Sequence, residues 1–259
     1  MPTGRSRGAC AHHTGRVDVP GPAAAQAPAE LRAHEPVRTH EPVRTYKVRR
    51  RVTAGQAEAL QRLLPRFGVD VAAPFDARAV YGRAAPLVLE VGSGMGEATA
   101  GMAAADPGRD VLAVEVHTPG LGNLLRLVEA AGLTNVRVLE ADAREVLADL
   151  LPAGSLDELR IFFPDPWPKS RHAKRRLVTA ELLDLAATRL RPGGRLHVAT
   201  DWPDYAEQVL RLVQGHPAYE DVHGERGSRP VTRFEQRGRD AGRPVTDVVA
   251  RVVPRVGSG

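Results

Sequence analysis

Leu87-Val-Leu-Glu-Val-Gly-Ser-Gly-Met-Gly-Glu97 decides how the chain is read. Leu87–Val91 is a continuous apolar run broken only by Glu90, which marks a strand covered on both faces, as in a parallel sheet. Gly92, Gly94 and Gly96 then permit a tight turn, and Glu97–Ala105 suits a helix. Strand, glycine turn and helix are the first unit of an alternation that runs on through the chain. Asp110–Val116 reads as the second strand and carries Glu115 near its end; Leu121, Leu124, Leu125 and Val128 mark the next helix. Val136–Ala141 is the third strand, followed by Asp142 and a helix over Arg144–Leu151. Leu156–Phe163 is the fourth, and Leu182, Leu183, Ala186, Ala187 and Leu190 line one face of the helix after it. Arg191-Pro-Gly-Gly194 turns into a fifth strand, Arg195–Thr200, and a helix runs from Pro203 through Val213. Such alternation predicts an α/β fold, a mostly parallel sheet with crossover helices on both faces.

In a sheet of this kind ligands bind beyond the carboxyl ends of the strands. Glu90, Glu115, Asp142, Asp165 and Asp201 all fall at or just after predicted strand ends, so five carboxylates share one rim. A glycine turn followed about 20 residues later by an acid fits dinucleotide and adenosyl ligands alike. Glu115 is placed to accept ribose hydroxyls. Glu90, just ahead of the first glycine, is awkward beside a pyrophosphate and apt beside the ammonium and sulfonium of S-adenosylmethionine. Asp142 is placed to take an adenine amino group. Taken singly, each acid could instead be a helix cap.

The fourth strand delivers Ile161-Phe-Phe-Pro-Asp-Pro-Trp-Pro-Lys-Ser-Arg-His-Ala-Lys-Arg-Arg176. Pro164, Pro166 and Pro168 lack the N–H that a ladder needs, so the sheet stops and a stiff loop holds Asp165 and Trp167. Lys169, Arg171, Lys174, Arg175 and Arg176 follow at once. A carboxylate and an aromatic face beside five cations suit a base being acted on while its phosphate backbone is gripped. Trp167 and Trp202 each follow a rim aspartate, and either could stack on a base or pack in the core.

Outside this body the chain changes character. Residues 1–45 are rich in Pro, Ala, Gly and Arg, and His34-Glu-Pro-Val-Arg-Thr39 is repeated as His40-Glu-Pro-Val-Arg-Thr45, which predicts a disordered basic tail. Order is expected from Tyr46: a cationic arm of Lys47, Arg49, Arg50 and Arg51, then a helix opened by the capping box Thr53-Ala-Gly-Gln56. Residues 46–259 then form one domain, with the arm and first helix over 46–66. The 259-residue chain carries net charge +5, and residues 1–51 alone hold ten Lys/Arg against four Asp/Glu, so the positive charge is local and favours a polyanion partner. Cys10 is the only cysteine, which excludes a disulfide framework and a cysteine zinc site. With no membrane-length apolar run and no secretory signal, the chain reads as cytoplasmic and metal-free, and nothing in it calls for an obligate protein partner.

Leu89-Glu-Val-Gly-Ser-Gly-Met-Gly96, Val114-Glu-Val-His-Thr-Pro-Gly120, Phe162-Phe-Pro-Asp-Pro-Trp-Pro-Lys169, Ala199-Thr-Asp-Trp202 and Arg229-Pro-Val-Thr-Arg-Phe-Glu235 together resemble the bacterial tRNA (guanine-N7-)-methyltransferases. The match spans roughly Tyr46 to Gly242, and the Phe-Phe-Pro-Asp-Pro-Trp and Thr-Arg-Phe-Glu runs are its most specific parts. The resemblance implies a Rossmann-like class I methyltransferase with a seven-stranded sheet, S-adenosylmethionine as cofactor, and a guanosine in the tRNA variable loop as target. It implies cofactor contact at Glu90, Glu115 and Asp142, with the glycines Gly92, Gly94 and Gly96, and Asp165 at the reaction centre. It implies tRNA contact at Lys169, Arg171, Lys174, Arg175, Arg176, Asp201, Thr232, Arg233, Phe234 and Glu235. Two departures stand out: Gly242–Val252 lacks the aromatics usual in the family's last strand, and the tail before Tyr46 has no counterpart. The other readings open to these residues are a nicotinamide-dependent oxidoreductase, which Glu90 disfavours, and a non-catalytic RNA-binding protein on the same scaffold.

Overall fold

The computed structural model describes residues 51–70 and 74–253, and in it the doubly buried strands set the architecture. Strands β1 (Leu87–Val91) and β2 (Asp110–Val114) are buried at every position. Leu87, Leu89, Val91, Leu112 and Val114 enter one apolar core, while Val88, Val111 and Ala113 enter another on the opposite face. With β3 (Val136–Leu139), β4 (Leu156–Phe162), β5 (Leu190–Thr200), β6 (Tyr219–His223) and β7 (Thr246–Val252), they form one seven-stranded sheet in the order β3-β2-β1-β4-β5-β7-β6. The first five strands run parallel; β7 lies antiparallel to both β5 and β6. The order reverses between β1 and β4, which opens a crevice there at the carboxyl ends of the strands.

Helices α1 (Ala54–Phe67), α3 (Glu97–Ala105) and α4 (Thr118–Ala130) cover one face through Ala59, Leu63, Ala100, Leu121, Leu124 and Val128. The short α2 (Ala77–Tyr81) packs on the other face, as do α6 (Ala180–Arg189) and α7 (Pro203–Gln214). The capping box is present: Thr53 N donates to Gln56 Oε1 at 2.9 Å and Gln56 N donates back to Thr53 Oγ1. The tail, its repeat and the arm residues Lys47, Arg49 and Arg50 lie outside the described residues.

Four local differences from the sequence reading have physical reasons. Leu190 ends its helix and starts β5, where it pairs with Leu156, so it is a strand residue rather than part of the helix face. Arg191–Gly194 stays within β5 as an irregularity between the Leu190 and Arg195 pairings, with Gly193 at φ 73° absorbing the kink. The segment after Asp142 is α-helical only over α5 (Ala143–Glu145) and continues as a π-turn, Val146–Leu150. Arg189 reaches across to the carbonyls of Leu147 and Ala148, which the wider turn leaves available. The last strand buries Val248, Val249, Ala250 and Val252, so aliphatic side chains alone supply its packing.

Candidate active site

The rim begins with the glycine turn. Gly92, Gly94 and Gly96 all take positive φ (75°, 56° and 79°), a conformation that other residues adopt only under strain. Gly120, at the start of α4, belongs to the same structure: a Cβ there would lie 2.1 Å from the Gly94 carbonyl oxygen. A Cβ on Gly96 would meet Leu124 at 2.6 Å. Glu115 ties the turn to the end of β2, accepting hydrogen bonds from Gly94 N at 2.7 Å, Val116 N at 2.8 Å and His117 N at 2.9 Å. Its oxygens retain acceptor capacity for hydroxyl groups.

Glu90 is different. It is 2% exposed, and one oxygen accepts from Thr99 Oγ1 at 2.9 Å. Its other oxygen is buried with no partner, and so is the hydroxyl of Ser93 in the turn above. Burial pushes the Glu90 carboxyl above its ordinary range, and Arg160 and Thr99 only partly oppose this. A half-satisfied buried carboxylate is destabilising unless a cation meets it. The glycine turn, the orphaned oxygen of Glu90 and the acceptors of Glu115 therefore fit a ligand with a cationic end and a ribose. Asp142 accepts from Arg144 N at 2.8 Å, so it caps α5 while standing on the same rim.

Beyond β4 the chain turns twice through backbone that side chains rarely adopt, at Phe163 (φ 51°) and Trp167 (φ 44°). Asp165 sits half-buried between them. A 3-10 helix, Ser170–Arg175, follows, with Lys169, Arg171 and Lys174 exposed. Arg175 lies over the Trp167 ring at 5.0 Å, and His172 meets the same ring edge-on. Partial burial and the neighbouring cations Arg175, Arg171 and Lys169 hold His172 below the ordinary histidine range. Arg176 corrects the sequence reading. It is turned inward, donating to Pro166 O at 2.8 Å and Gln208 Oε1 at 2.5 Å, with its guanidinium over the Tyr205 ring. It is not part of the exposed cationic face.

The Thr-Arg-Phe-Glu run divides in the same way. Thr232 caps α8 (Arg233–Asp240) by accepting from Glu235 N. Glu235 is fully buried and held by Arg226, Arg229 and Arg239, the last at 2.6 Å. Burial opposes its ionisation, but the hydrogen bonds from Arg226 and Arg229 win and keep the carboxyl below its usual range. Glu235 thus faces protein, not the rim. Arg233 is exposed and bonds Glu97 on α3; Phe234, 54% exposed, lays its ring 5.3 Å from that of Phe163. Asp201 pairs with Arg243 at 2.7 Å and does not cap α7, whose N-cap is Trp202. Trp202 packs against the core, while Trp167 stays partly exposed beneath Arg175 and Phe163 pairs with Phe234. Ser93, Gly120 and Arg229 lie inside the runs that carry the family resemblance, but nothing in the sequence assigns them these roles.

The family model described as "Putative methyltransferase" matches residues 84–248. The tRNA (guanine-N(7)-)-methyltransferase of Streptomyces avermitilis is 54% identical over 215 residues, covering 80% of this chain and 74% of that one. Its namesake from Halorhodospira halophila is 50% identical over 212 residues, covering 79% and 92%.

The chain belongs to the tRNA (guanine-N7-)-methyltransferase family.

Among solved structures, the 16S rRNA methyltransferase KamB shares the fold, with a TM-score of 0.51 at 19% identity over 71% of this chain and 97% of that one. A methyltransferase reading accounts for the orphaned acid of the first strand, which a nicotinamide-dependent oxidoreductase leaves unexplained. Among the described residues of this methyltransferase no group of His, Cys, Asp and Glu is placed to hold a metal ion, and no helix is long and apolar enough to cross a membrane.

Proposed function

We propose that the protein transfers a methyl group from S-adenosylmethionine to N7 of a guanine in tRNA, in the cytoplasm, through one domain spanning residues 46–259. The observation that carries this reading is the buried, unpartnered oxygen of Glu90 beneath the glycine turn. Glu90 would hold the cationic amino-acid end of the donor, Glu115 the ribose hydroxyls and Asp142 the adenine amino group. When bound, the donor supplies an electrophilic methyl group on a sulfonium centre. Guanine N7 keeps a free lone pair at neutral pH, so the protein has no proton to remove. Its residues align the base and stabilise positive charge arriving on the purine. Asp165 does this as an acceptor for guanine N–H groups and as a counter-charge. Lys169, Arg171, Lys174 and Arg175 grip the phosphates beside it, and Phe234 with Phe163 offers an apolar face for an extruded base. The variable-loop guanosine as target follows from the family resemblance.

Asp165→Ala should retain donor binding by calorimetry and lose methyl transfer to unmodified tRNA. Normal transfer by that variant removes Asp165 from the reaction centre. Donor binding without any transfer by the native protein favours the non-catalytic RNA-binding reading. Mapping the modified nucleotide in total tRNA tests the target.

A further inference from the structure

Three prolines punctuate the loop that carries Asp165. Pro164, Pro166 and Pro168 donate no hydrogen bonds, and the last ladder contact before them is Phe163 N to Ala199 O at 2.7 Å. Both ends of the loop are aromatic residues with positive φ, a conformation that relaxes unless its surroundings over-determine it. Each end is met by a buried arginine.

At the entry, the Arg229 guanidinium lies 5.1 Å from the Phe163 ring centroid and 5.5 Å from that of Phe162. All three of its nitrogens are engaged. Nε and Nη2 donate to the two oxygens of Asp247 at 2.9 and 2.8 Å, and Nη1 donates to Glu235 at 2.6 Å. Asp247 also bonds His197 Nε2 at 2.8 Å, and the His197 ring packs edge-on against Phe162. The bracket is therefore anchored in β5, β7 and α8. At the exit, Arg176 bonds the Pro166 carbonyl and is anchored on α7 by Gln208 and Tyr205. Arg229 is 2% exposed and Arg176 7%, so neither side chain is presented to a phosphate backbone.

We infer that Arg229 and Arg176 are positioning residues: they brace the two strained ends of the Pro164–Pro166 loop and thereby fix where the Asp165 carboxylate stands. This rests on the proposed role of Asp165 at the reaction centre. A planar, fully engaged guanidinium sets an orientation that an ammonium of equal charge does not.

The test is the full-length protein with Arg229→Lys and, separately, Arg176→Lys, with turnover expressed per donor-binding site so that misfolded protein drops out. The expected result is a fall in kcat on the order of 10²-fold, the scale of a displacement of about 1 Å at a reacting group. KM for tRNA, the salt dependence of tRNA binding and donor affinity stay at the native values. Any residual transfer by Asp165→Ala should be slowed no further when either replacement is added, because both act through the same group. Native kcat per site in a folded variant overturns the inference and leaves a purely structural role. A raised KM with a flatter salt slope overturns it in favour of direct RNA contact. If Asp165→Ala alone methylates normally, the reading of the reaction centre fails, and the lysine variants then report on the loop independently. Should Arg229→Lys bind no donor at all, Arg176→Lys decides.

Discussion

Glu90 and Glu235 are both carboxylates removed from solvent, 2% and 0% exposed, yet their surroundings are opposites. Glu235 is enclosed by Arg226, Arg229 and Arg239, and its ionised form is favoured. Glu90 has one hydroxyl donor and an empty-handed second oxygen, and its ionised form is disfavoured. The first is an interior joint between α8, β7 and the β4 corner. The second is a charge waiting for a counter-charge. Burial of an acid therefore says little about its role until its partners are counted.

The contrast is broken most severely at the satisfied site. Glu235→Ala leaves arginines clustered without their carboxylate, and denaturant unfolding should show a loss of about 3–5 kcal/mol, the usual range for removing one partner of a buried ion pair. The same kind of change at the unsatisfied site should go the other way. Glu90→Gln should raise the melting temperature of the donor-free protein while weakening S-adenosylmethionine binding by roughly 10- to 100-fold, the scale of a charged hydrogen bond. The two signs also separate with pH. The folded Glu235 titrates below its ordinary 4.5, so its contribution is complete above that value and disappears as pH falls through the folded value. The folded Glu90 titrates above 4.5, so its penalty sets in as pH rises from there and is complete above the folded value. Unfolding curves across this window should lose their alkaline-side decline in Glu90→Gln, and a native-like decline in that variant would assign the effect elsewhere. The smallest effect belongs to the surface: Lys174→Ala should lower the slope of log affinity against log salt by about 1 for tRNA while leaving kcat alone.

How much of this was readable beforehand follows from what each feature depends on. β1 and α3 match the sequence reading residue for residue, because covered strands and glycine brackets are local signals. The five rim acids stand where the strand ends predicted. α8 was invisible: it carries five charged residues in eight and is held by a cap and ion pairs rather than an apolar stripe. β6 buries only Tyr219 fully, as an edge strand does. The π-turn's free carbonyls are met by Arg189, some 40 residues further along the chain, a pairing no local pattern announces. Among the cations of the 169–176 run, charge is legible but direction is not; Arg176 turns inward because Gln208 and Tyr205 are there to receive it. The same limit hid the inward course of Glu235.

The glycine turn is gripped from behind as well as bent from within: α4 comes so close at Gly120 that the Gly94 carbonyl has nowhere to retreat, and Glu115 holds the Gly94 amide from the other side. A cradle fixed this way is already in its working shape before anything enters. Association of the methyl donor should accordingly be a single kinetic phase whose rate climbs linearly with concentration and reaches no plateau, because no rearrangement of the cradle stands between encounter and capture.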